Sequence, residues 1–345
     1  MVNKNFGRRG RNVAQDPSAE SIKNHVHKEY KMNIFIIILC VICAIVALLF
    51  LIGIISMYFV FFYSPKFDRE EPKPDKLMGK EFPRLVKETD AQTAMIKSTY
   101  AFESVCVTSD DGLKLYGDFY LNESATDKTI ICVHGYNSCG YHDFSRMVEP
   151  ILKNAYNCLL IDQRHYGKSE GKFTGFGMLE CQDVLKWISL VNERFPGGKI
   201  VLYGVSMGAA TVMQTSRLNP RSVVGIVEDC GFTSCREEFA ATLKTVAHLP
   251  PFPLLNILSL LCRLFLKLDL NSDSRDCVAT TKIPMLFVHG NADTFIPYKM
   301  CEECFEACKS QKQIKLYDGA GHAQSHFMHP EEYERDFFGF VEKVM

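Results

Sequence analysis

The sequence lacks an excess of charge of either sign. It has 39 Lys and Arg residues against 40 Asp and Glu residues, a formal net charge of -1 over 345 residues. Nucleic-acid-binding domains usually carry a clear basic excess, so we expect no nucleic-acid partner. Hydrophobic residues make up 47% of the chain and charged residues 23%. This composition supplies enough apolar surface to offset the entropy cost of ordering a sizeable core, which argues against extensive disorder.

The sequence also lacks the closely spaced cysteines of a small disulfide-rich domain. Of its 14 cysteines, Cys40 and Cys43 lie in an apolar run and the others are scattered singly. This spacing excludes a dense disulfide framework. A structural zinc site needs four ligands, and no histidine is spaced to join Cys301, Cys304 and Cys308. We therefore predict that these three are small buried apolar residues of a helix.

Charge is absent altogether between Met32 and Pro65. About 20 apolar residues span a bilayer, and this run is longer than that. A secretory signal peptide has only a short apolar stretch, followed by a small-residue cleavage site, so a retained transmembrane helix is favoured. The predicted organisation is a basic N-terminal tail (1–31), a transmembrane helix (32–63), a charged, proline-bearing linker (64–95) and a soluble domain (96–345).

Basic residues flank this apolar run on both sides. Three Lys or Arg residues lie within about 20 residues before it, and six lie within about 20 residues after it. The positive-inside rule therefore assigns no orientation. We expect a single-pass membrane protein that contacts the bilayer through residues 32–63. The sequence does not assign the soluble domain to one side of the membrane.

The soluble part alternates short β-branched or aromatic runs with amphipathic helical patterns. This alternation predicts an α/β fold with a mostly parallel sheet and helices on both faces, in which ligands bind beyond the carboxyl ends of the strands. The eight predicted strands are Phe102–Thr108, Leu113–Leu121, Thr129–Val133, Cys158–Asp162, Lys199–Tyr203, Val223–Glu228, Pro284–His289 and Ile314–Tyr317.

One strand-like run leads directly into the pattern G-x-S-x-G. Gly204-Val205-Ser206-Met207-Gly208 follows the run that begins at Lys199 and precedes an Ala- and Met-rich helical stretch. Glycines are needed here because the strand turns so sharply into the helix that side chains would collide. The pattern predicts that Ser206 is an exposed nucleophile above the sheet.

A serine hydroxyl needs a base to take its proton and a carboxylate to orient that base. Asp293 and His322 follow Ser206 in the order expected for this arrangement, each just beyond a predicted strand. We predict Asp293 as the acid and His322 as the base. Glu228 and Asp229, after the strand that follows the serine helix, remain alternative acids.

Acyl transfer also needs donors for the oxyanion that forms during attack. The backbone N–H of Met207 is one candidate, and the loop after Val133 offers a second, for which we favour Tyr136. His134 lies beside Gly135 at a strand end, so we interpret it as a structural loop histidine.

The connection between the sixth and seventh predicted strands is too long for a plain loop, and we predict a cap insertion at about residues 232–280. Within it, the polar residues Asn256, Ser259, Arg263 and Lys267 form one narrow helical stripe. Such a helix is expected to bury most of its circumference. Two interpretations stay open: a core helix packed on the sheet, or a cap over an apolar acyl pocket that dips into the bilayer.

These motifs resemble those of the α/β-hydrolase superfamily, and within it those of membrane-anchored serine aminopeptidase-like and acyl hydrolases. The resemblance rests on DDGLKLYG, ICVHGYNS, LLIDQRHYGKSEG, LYGVSMGAA, VHGNADTFIP and GAGHA, which run from Asp110 to His322. It implies an α/β-hydrolase fold with an eight-stranded sheet and a small helical cap. It also implies the site residues given above. The HGGG motif of the lipase and esterase branch is absent, which argues against esters of bulky tertiary alcohols.

The expected function is therefore a membrane-anchored serine hydrolase that cleaves esters or thioesters through an acyl-enzyme, without metal or organic cofactor. The expected partner is a small-molecule or lipid-like acyl substrate. Two alternatives remain. An aminopeptidase-like amide hydrolase would use Glu228 and Asp229 to hold a substrate amine, and a catalytically silent relative would serve as a binding module.

Overall fold

The computed structural model describes residues 17–64 and 82–345, and the chain divides into two units, residues 1–52 and 53–345. The described part of the first unit belongs to one long helix, α1 (Pro17–Met57), which is followed by a π-helical turn over Tyr58–Phe62. The helix begins well before the predicted residue 32, because the Lys- and Glu-containing segment that precedes the apolar run also favours helix. The rest of the predicted basic tail, residues 1–16, lies outside the described residues.

The apolar part of α1 has exposed side chains over a long stretch. From residue 33 to residue 52 every side chain is exposed except that of the half-buried Leu49. The segment Lys23–Phe62 is long and apolar enough to cross a membrane, judged by length and composition. A helix that is apolar on all sides is typical of a protein core or of a membrane span.

The second unit contains an eight-stranded, mostly parallel sheet, so the predicted fold class is confirmed. The strand order is β1-β2-β4-β3-β5-β6-β7-β8, in which β2 runs antiparallel to both β1 and β4 and all other pairs are parallel. Each strand begins and ends within two residues of its predicted bounds. The strands are β1 (Glu103–Thr108), β2 (Lys114–Tyr120), β3 (Lys128–Val133), β4 (Asn157–Ile161), β5 (Lys199–Val205), β6 (Val223–Asp229), β7 (Met285–Gly290) and β8 (Lys312–Tyr317).

Helices cover both faces of this sheet. The central strands are buried along nearly their whole length, as is usual for parallel strands covered on both sides, and this is why they read as continuous apolar runs. One face packs against α3 and α11, and the other against α4, α5, α8 and α9. The helices of the second unit are α2 (Phe82–Thr99), α3 (Gly140–Lys153), α4 (Glu180–Arg194), α5 (Met207–Ser216), α6 (Cys235–Thr245), α7 (Leu254–Leu261), α8 (Ser274–Thr280), α9 (Lys299–Ala307), α10 (Ser325–Met328) and α11 (Pro330–Val344).

The predicted linker over residues 64–95 needs correction at its C-terminal end. Residues 65–81 lie outside the described residues, but residues 82–95 are part of α2, which packs on α3. Val86 and Ile96 are buried on the inner face of α2, and the outward Glu88 pairs with Arg146 of α3 at 3.0 Å. Charged residues alternate with the buried residues of α2, so the sequence pattern did not indicate an amphipathic helix there.

The cap is shorter than predicted. Residues 274–280 form α8, whose Val278 packs in the apolar cluster on the sheet, so this helix belongs to the layer that flanks the sheet. Helix α7 continues into a π-helical turn, Cys262–Leu266. Its buried residues Leu255 and Leu258 join an apolar cluster away from the sheet, so the core-helix interpretation was wrong.

Helix α7 also does not bury most of its circumference. Leu264 and Phe265 in its final turn are 63% and 69% exposed, and Leu260 is exposed as well. The cap therefore presents an apolar outer surface, which we call the outer cap face: Phe252, Leu260, Leu264 and Phe265.

The cysteine prediction is confirmed. Cys301, Cys304 and Cys308 are each 1% exposed and lie in the cluster between α9 and the sheet. Burial raises the pKa of the Cys301 and Cys304 thiols well above the ordinary value, so these residues behave as apolar groups.

Candidate active site

The turn between β5 and α5 holds Ser206 in a strained conformation. Its φ is +55°, in the left-handed region, and its amide donates to the carbonyl of Asp229 at 2.8 Å. A Cβ at Gly208 would lie 1.8 Å from the carbonyl oxygen of Val133, and one at Gly204 would lie 2.3 Å from that of Gly208. Only glycine fits at these two positions, and the sharp turn leaves the Ser206 hydroxyl beyond the end of the sheet.

The three side chains predicted to act together lie in series, with His322 within hydrogen-bonding distance of both Ser206 and Asp293. His322 Nε2 lies 2.9 Å from Ser206 Oγ, and His322 Nδ1 lies 2.7 Å from Asp293 Oδ2. With its proton on Nδ1, the imidazole donates to Asp293 and accepts the serine hydroxyl proton. The other carboxylate oxygen, Asp293 Oδ1, accepts from the amides of Phe295 and Ile296 at 2.8 and 2.9 Å.

A second histidine, which the sequence analysis did not identify, also supports Asp293. His289 Nε2 lies 3.2 Å from Asp293 Oδ2 and 2.9 Å from the carbonyl oxygen of Ile296. Burial alone would raise the pKa of Asp293, but the nearby His322 and His289 imidazoles outweigh it and hold that pKa well below its ordinary range. The carboxylate is therefore ionised at neutral pH. The only sequence signal for His289 was its place at the end of a buried strand.

The predicted oxyanion donors lie next to Ser206. Met207 is the first residue of α5, so its N–H has no acceptor within the helix. The loop that carries Tyr136 approaches closely, since a Cβ at Gly135 would lie 3.2 Å from Ser206 Cβ. Asp143 fixes this loop by accepting the Gly135 amide at 2.7 Å, a positioning contact that the sequence did not indicate.

His134 is a structural residue, as predicted. It is fully buried, its Nδ1 lies 2.7 Å from the carbonyl oxygen of Gly135, and its Nε2 accepts from the amide of Gln163 at 2.9 Å. Both ring nitrogens are thus engaged by the backbone.

An apolar cavity of about 250 Å³ opens beside Ser206. Its one acidic side chain is Glu238 of α6, which accepts a hydrogen bond from Thr242 Oγ1 at 2.7 Å. Burial raises the pKa of Glu238 to about 7, so this carboxyl is largely protonated below neutral pH. The cavity is lined by Val60, Tyr136, Phe176, Ser206, Met207, Phe232, Glu238, Phe239, Thr242, Phe295 and Ile296.

One group of three possible metal ligands occurs among residues 17–64 and 82–345. Atoms of Cys230, Asp293 and His322 lie within 4.8 Å of one another. Burial raises the pKa of the Cys230 thiol well above its ordinary value, which disfavours the thiolate that binds metals. Both nitrogens of His322 are already hydrogen-bonded, so the group is a poor metal site.

The sequence matches the model of the α/β hydrolase fold over residues 128–257, which include β3, the serine turn and most of the cap. The chain has the α/β-hydrolase fold and resembles the members of that superfamily. It is similar to the uncharacterized protein YqkD of Bacillus subtilis, at 26% identity over 83% of this chain and 91% of that protein. It is also similar to human monoglyceride lipase, at 28% identity over 59% of this chain and 78% of that protein.

Among solved structures, this α/β hydrolase is similar to the Pyrococcus furiosus esterase Pf2001. The TM-score is 0.60 and the identity 24%, covering 79% of this chain and 100% of the esterase. At this level of identity the likeness shows a shared fold.

The two alternative acids of this α/β hydrolase are engaged elsewhere. Glu228 accepts from the amide of Gly231 at 3.0 Å, and Asp229 accepts from the hydroxyl of Tyr333 at 2.8 Å. Burial raises the pKa of Glu228 to about 7 and that of Asp229 to about 6. Neither carboxylate bonds to His322 or lines the cavity, so the structure does not bring either of them into the proposed acid position.

Proposed function

We propose that this α/β hydrolase is a membrane-anchored serine hydrolase that cleaves carboxylic esters or thioesters of acyl chains. Its relatives support hydrolysis in general, since they include a monoglyceride lipase. The observation that carries the finer proposal is the hydrogen-bonded series from Ser206 through His322 to Asp293, in which Ser206 also lines an apolar cavity.

In the proposed mechanism, His322 Nε2 takes the proton of Ser206 as the hydroxyl oxygen attacks the acyl carbonyl. Asp293 stabilises the imidazolium that forms and keeps the ring correctly oriented. The backbone N–H groups of Tyr136 and Met207 donate to the oxyanion. His322 then protonates the departing alcohol or thiol, and water activated by the same imidazole releases the acid.

The cavity favours an acyl chain over a peptide. Glu238 is the only acidic side chain among its lining residues, and its raised pKa of about 7 makes it a weak partner for a substrate ammonium group. Glu228 and Asp229, which an aminopeptidase-like enzyme was expected to use for this purpose, do not line the cavity. Esters and thioesters also have better leaving groups than amides.

The nucleophile can be tested with a fluorophosphonate probe on the full chain in detergent or nanodiscs. We expect labelling of the wild-type protein at Ser206 and none of Ser206→Ala, with an activity loss on the order of a millionfold in Ser206→Ala and in His322→Ala. Equal labelling of wild-type and Ser206→Ala protein would contradict the proposal and favour a silent binding module. Higher kcat/KM on aminoacyl amides than on p-nitrophenyl esters would favour the amide hydrolase.

The proposed anchor is the exposed apolar helix over residues 33–52. Its exposed apolar surface far exceeds what a soluble monomer usually presents. If it is a retained anchor, protein purified from membranes resists alkaline carbonate extraction, and mass spectrometry finds peptides from residues N-terminal to 32. A mature protein that begins after residue 63 would identify the segment as a cleaved signal.

A further inference from the structure

The turn that ends the apolar helix is fixed to the hydrolase unit by its backbone. Tyr136 Oη donates to the carbonyl oxygen of Val60 at 2.9 Å, and the amide of Thr174 donates to that of Phe61 at 3.0 Å. The side chain of Phe61 is fully buried. A mere tether leading out of a membrane needs none of these contacts.

The residues that hold the turn also line the cavity beside the nucleophile. The Phe61 ring packs edge-on against Phe176 at 5.2 Å and Phe239 at 6.2 Å, measured between ring centroids. Both rings line the cavity. Val60 also lines it, together with Ser206, and packs as a partly buried residue against the same apolar cluster. Removing the turn would therefore open one wall of the cavity.

The apolar run is long enough both to span a bilayer and to supply residues that pack on the hydrolase unit. About 20 residues span the hydrocarbon of a bilayer, which corresponds to the exposed stretch 33–52. The apolar residues 53–62 remain, and packing on the hydrolase unit begins with the first of them. A Cβ at Gly53 would lie 2.7 Å from Ile257 of α7, so the backbone there lies directly against the cap.

On the basis of the proposed function, we propose that Val60 and Phe61 of this turn are a structural part of the substrate site, with Val60 as the residue that limits acyl-chain length. The substrate class is an ester or thioester of a single acyl chain that partitions into membranes, because the cavity is apolar and Val60 in its wall follows the proposed anchor in the chain. The membrane segment then contributes to specificity as well as to location.

The test compares acyl-length preference in full-length variants held in nanodiscs. Val60→Phe adds bulk inside the cavity, Val60→Ala removes it, and Phe59→Trp adds bulk on the exposed side of the same turn as a matched control. The readout is the ratio of kcat/KM for p-nitrophenyl laurate to that for p-nitrophenyl acetate. A change of a few methylenes in an apolar pocket alters such a ratio at least tenfold.

We expect the ratio to fall about tenfold in Val60→Phe, to rise or to extend to longer chains in Val60→Ala, and to stay unchanged in Phe59→Trp. The opposite signs separate a pocket effect from damage to folding, and Val60→Ala tests the proposal even if the larger variant does not fold. An unchanged ratio in Val60→Ala, with the fluorophosphonate still labelling Ser206, would overturn the role of Val60 while leaving the proposed function intact. Absence of labelling at Ser206 in the wild-type protein would instead overturn the proposed function, and this inference with it.

Discussion

Replacing Asp293 by asparagine tests how His322 is oriented. Asp293 Oδ1 accepts two backbone N–H groups, from Phe295 and Ile296, so the asparagine oxygen must occupy that side. Its NH₂ group then faces His322 Nδ1 at the 2.7 Å position now held by a carboxylate oxygen. The imidazole is forced to accept at Nδ1 and to carry its proton on Nε2, where it cannot take the proton of Ser206.

The expected loss is about 10⁴-fold in kcat for an ester substrate, the size found when this change produces the wrong histidine tautomer in a serine protease. That factor corresponds to about 5 kcal/mol of transition-state stabilisation. The loss should be smaller than that of Ser206→Ala, because the nucleophile and the oxyanion donors remain.

The assay is hydrolysis of a p-nitrophenyl ester, with thermal unfolding measured in parallel. The matched control is Asp229→Asn, at the alternative acid. Asp229 Oδ2 accepts from Tyr333 Oη, while Oδ1 is buried without a hydrogen-bond partner among the described residues. An asparagine oxygen can keep the Tyr333 contact, so Asp229→Asn should retain more than about a tenth of the activity. This corresponds to an increase in the activation free energy of less than about 1.4 kcal/mol.

Two results would refute this reasoning. Asp293→Asn protein that is folded and retains most of its activity would show that Asp293 does not set the tautomer of His322. An equal loss in both variants would return Asp229 to consideration as the acid.

Three further changes test the turn, the cavity and the cap. Gly208→Ala places a Cβ against a backbone oxygen and should prevent folding or greatly lower Tm. The control is Gly339→Ala in α11, where no atom outside the local helix lies within 4 Å of the new Cβ, and it should raise or preserve Tm. Equal Tm values for the two variants would contradict the steric argument. Burial raises the pKa of Glu238 from its ordinary 4.5 to about 7, so the folded state binds the proton more tightly than the unfolded state. The free energy of unfolding of the wild type should therefore fall by up to about 3 kcal/mol as the pH rises from 4.5 to 7. In denaturant titrations, Glu238→Gln should become more stable relative to the wild type over that range. If the outer cap face enters the bilayer, brominated lipid should quench Phe265→Trp fluorescence more than that of Leu218→Trp, and equal quenching would place the cap in water.

The strands and the serine turn could be predicted from local chemistry. Central parallel strands are buried on both faces, so they appear as short continuous apolar runs, and the tight turn around Ser206 demands glycine at fixed spacing. Parallel strands also bring their carboxyl ends to one edge of the sheet, which is why Asp293 and His322 could be proposed as partners although they are distant in sequence. Their roles stay a prediction until the variants are measured.

Other features depend on contacts that no local pattern encodes. His289 beside Asp293, Glu238 in the cavity and the packing of α2 on α3 each arise from the meeting of separate segments. The sequence pattern of helix α7 was compatible with packing on the sheet or with a place in the cap, because its periodicity shows how much of its surface is apolar and not what that surface contacts.

The sequence by itself determined the apolar helix, the positions of the strands along the chain and the glycine-flanked serine, because each depends on neighbouring residues. Only the tertiary structure decided that Val60, which follows the apolar helix, lines the cavity beside Ser206 and that Phe61 packs behind the aromatic wall of that cavity. Hydrophobic burial is non-directional. An apolar run is therefore expected to be buried away from water, but its sequence does not specify which surface it contacts. The backbone contacts from Tyr136 and Thr174 specify the partner, and they exist only once the hydrolase unit has folded.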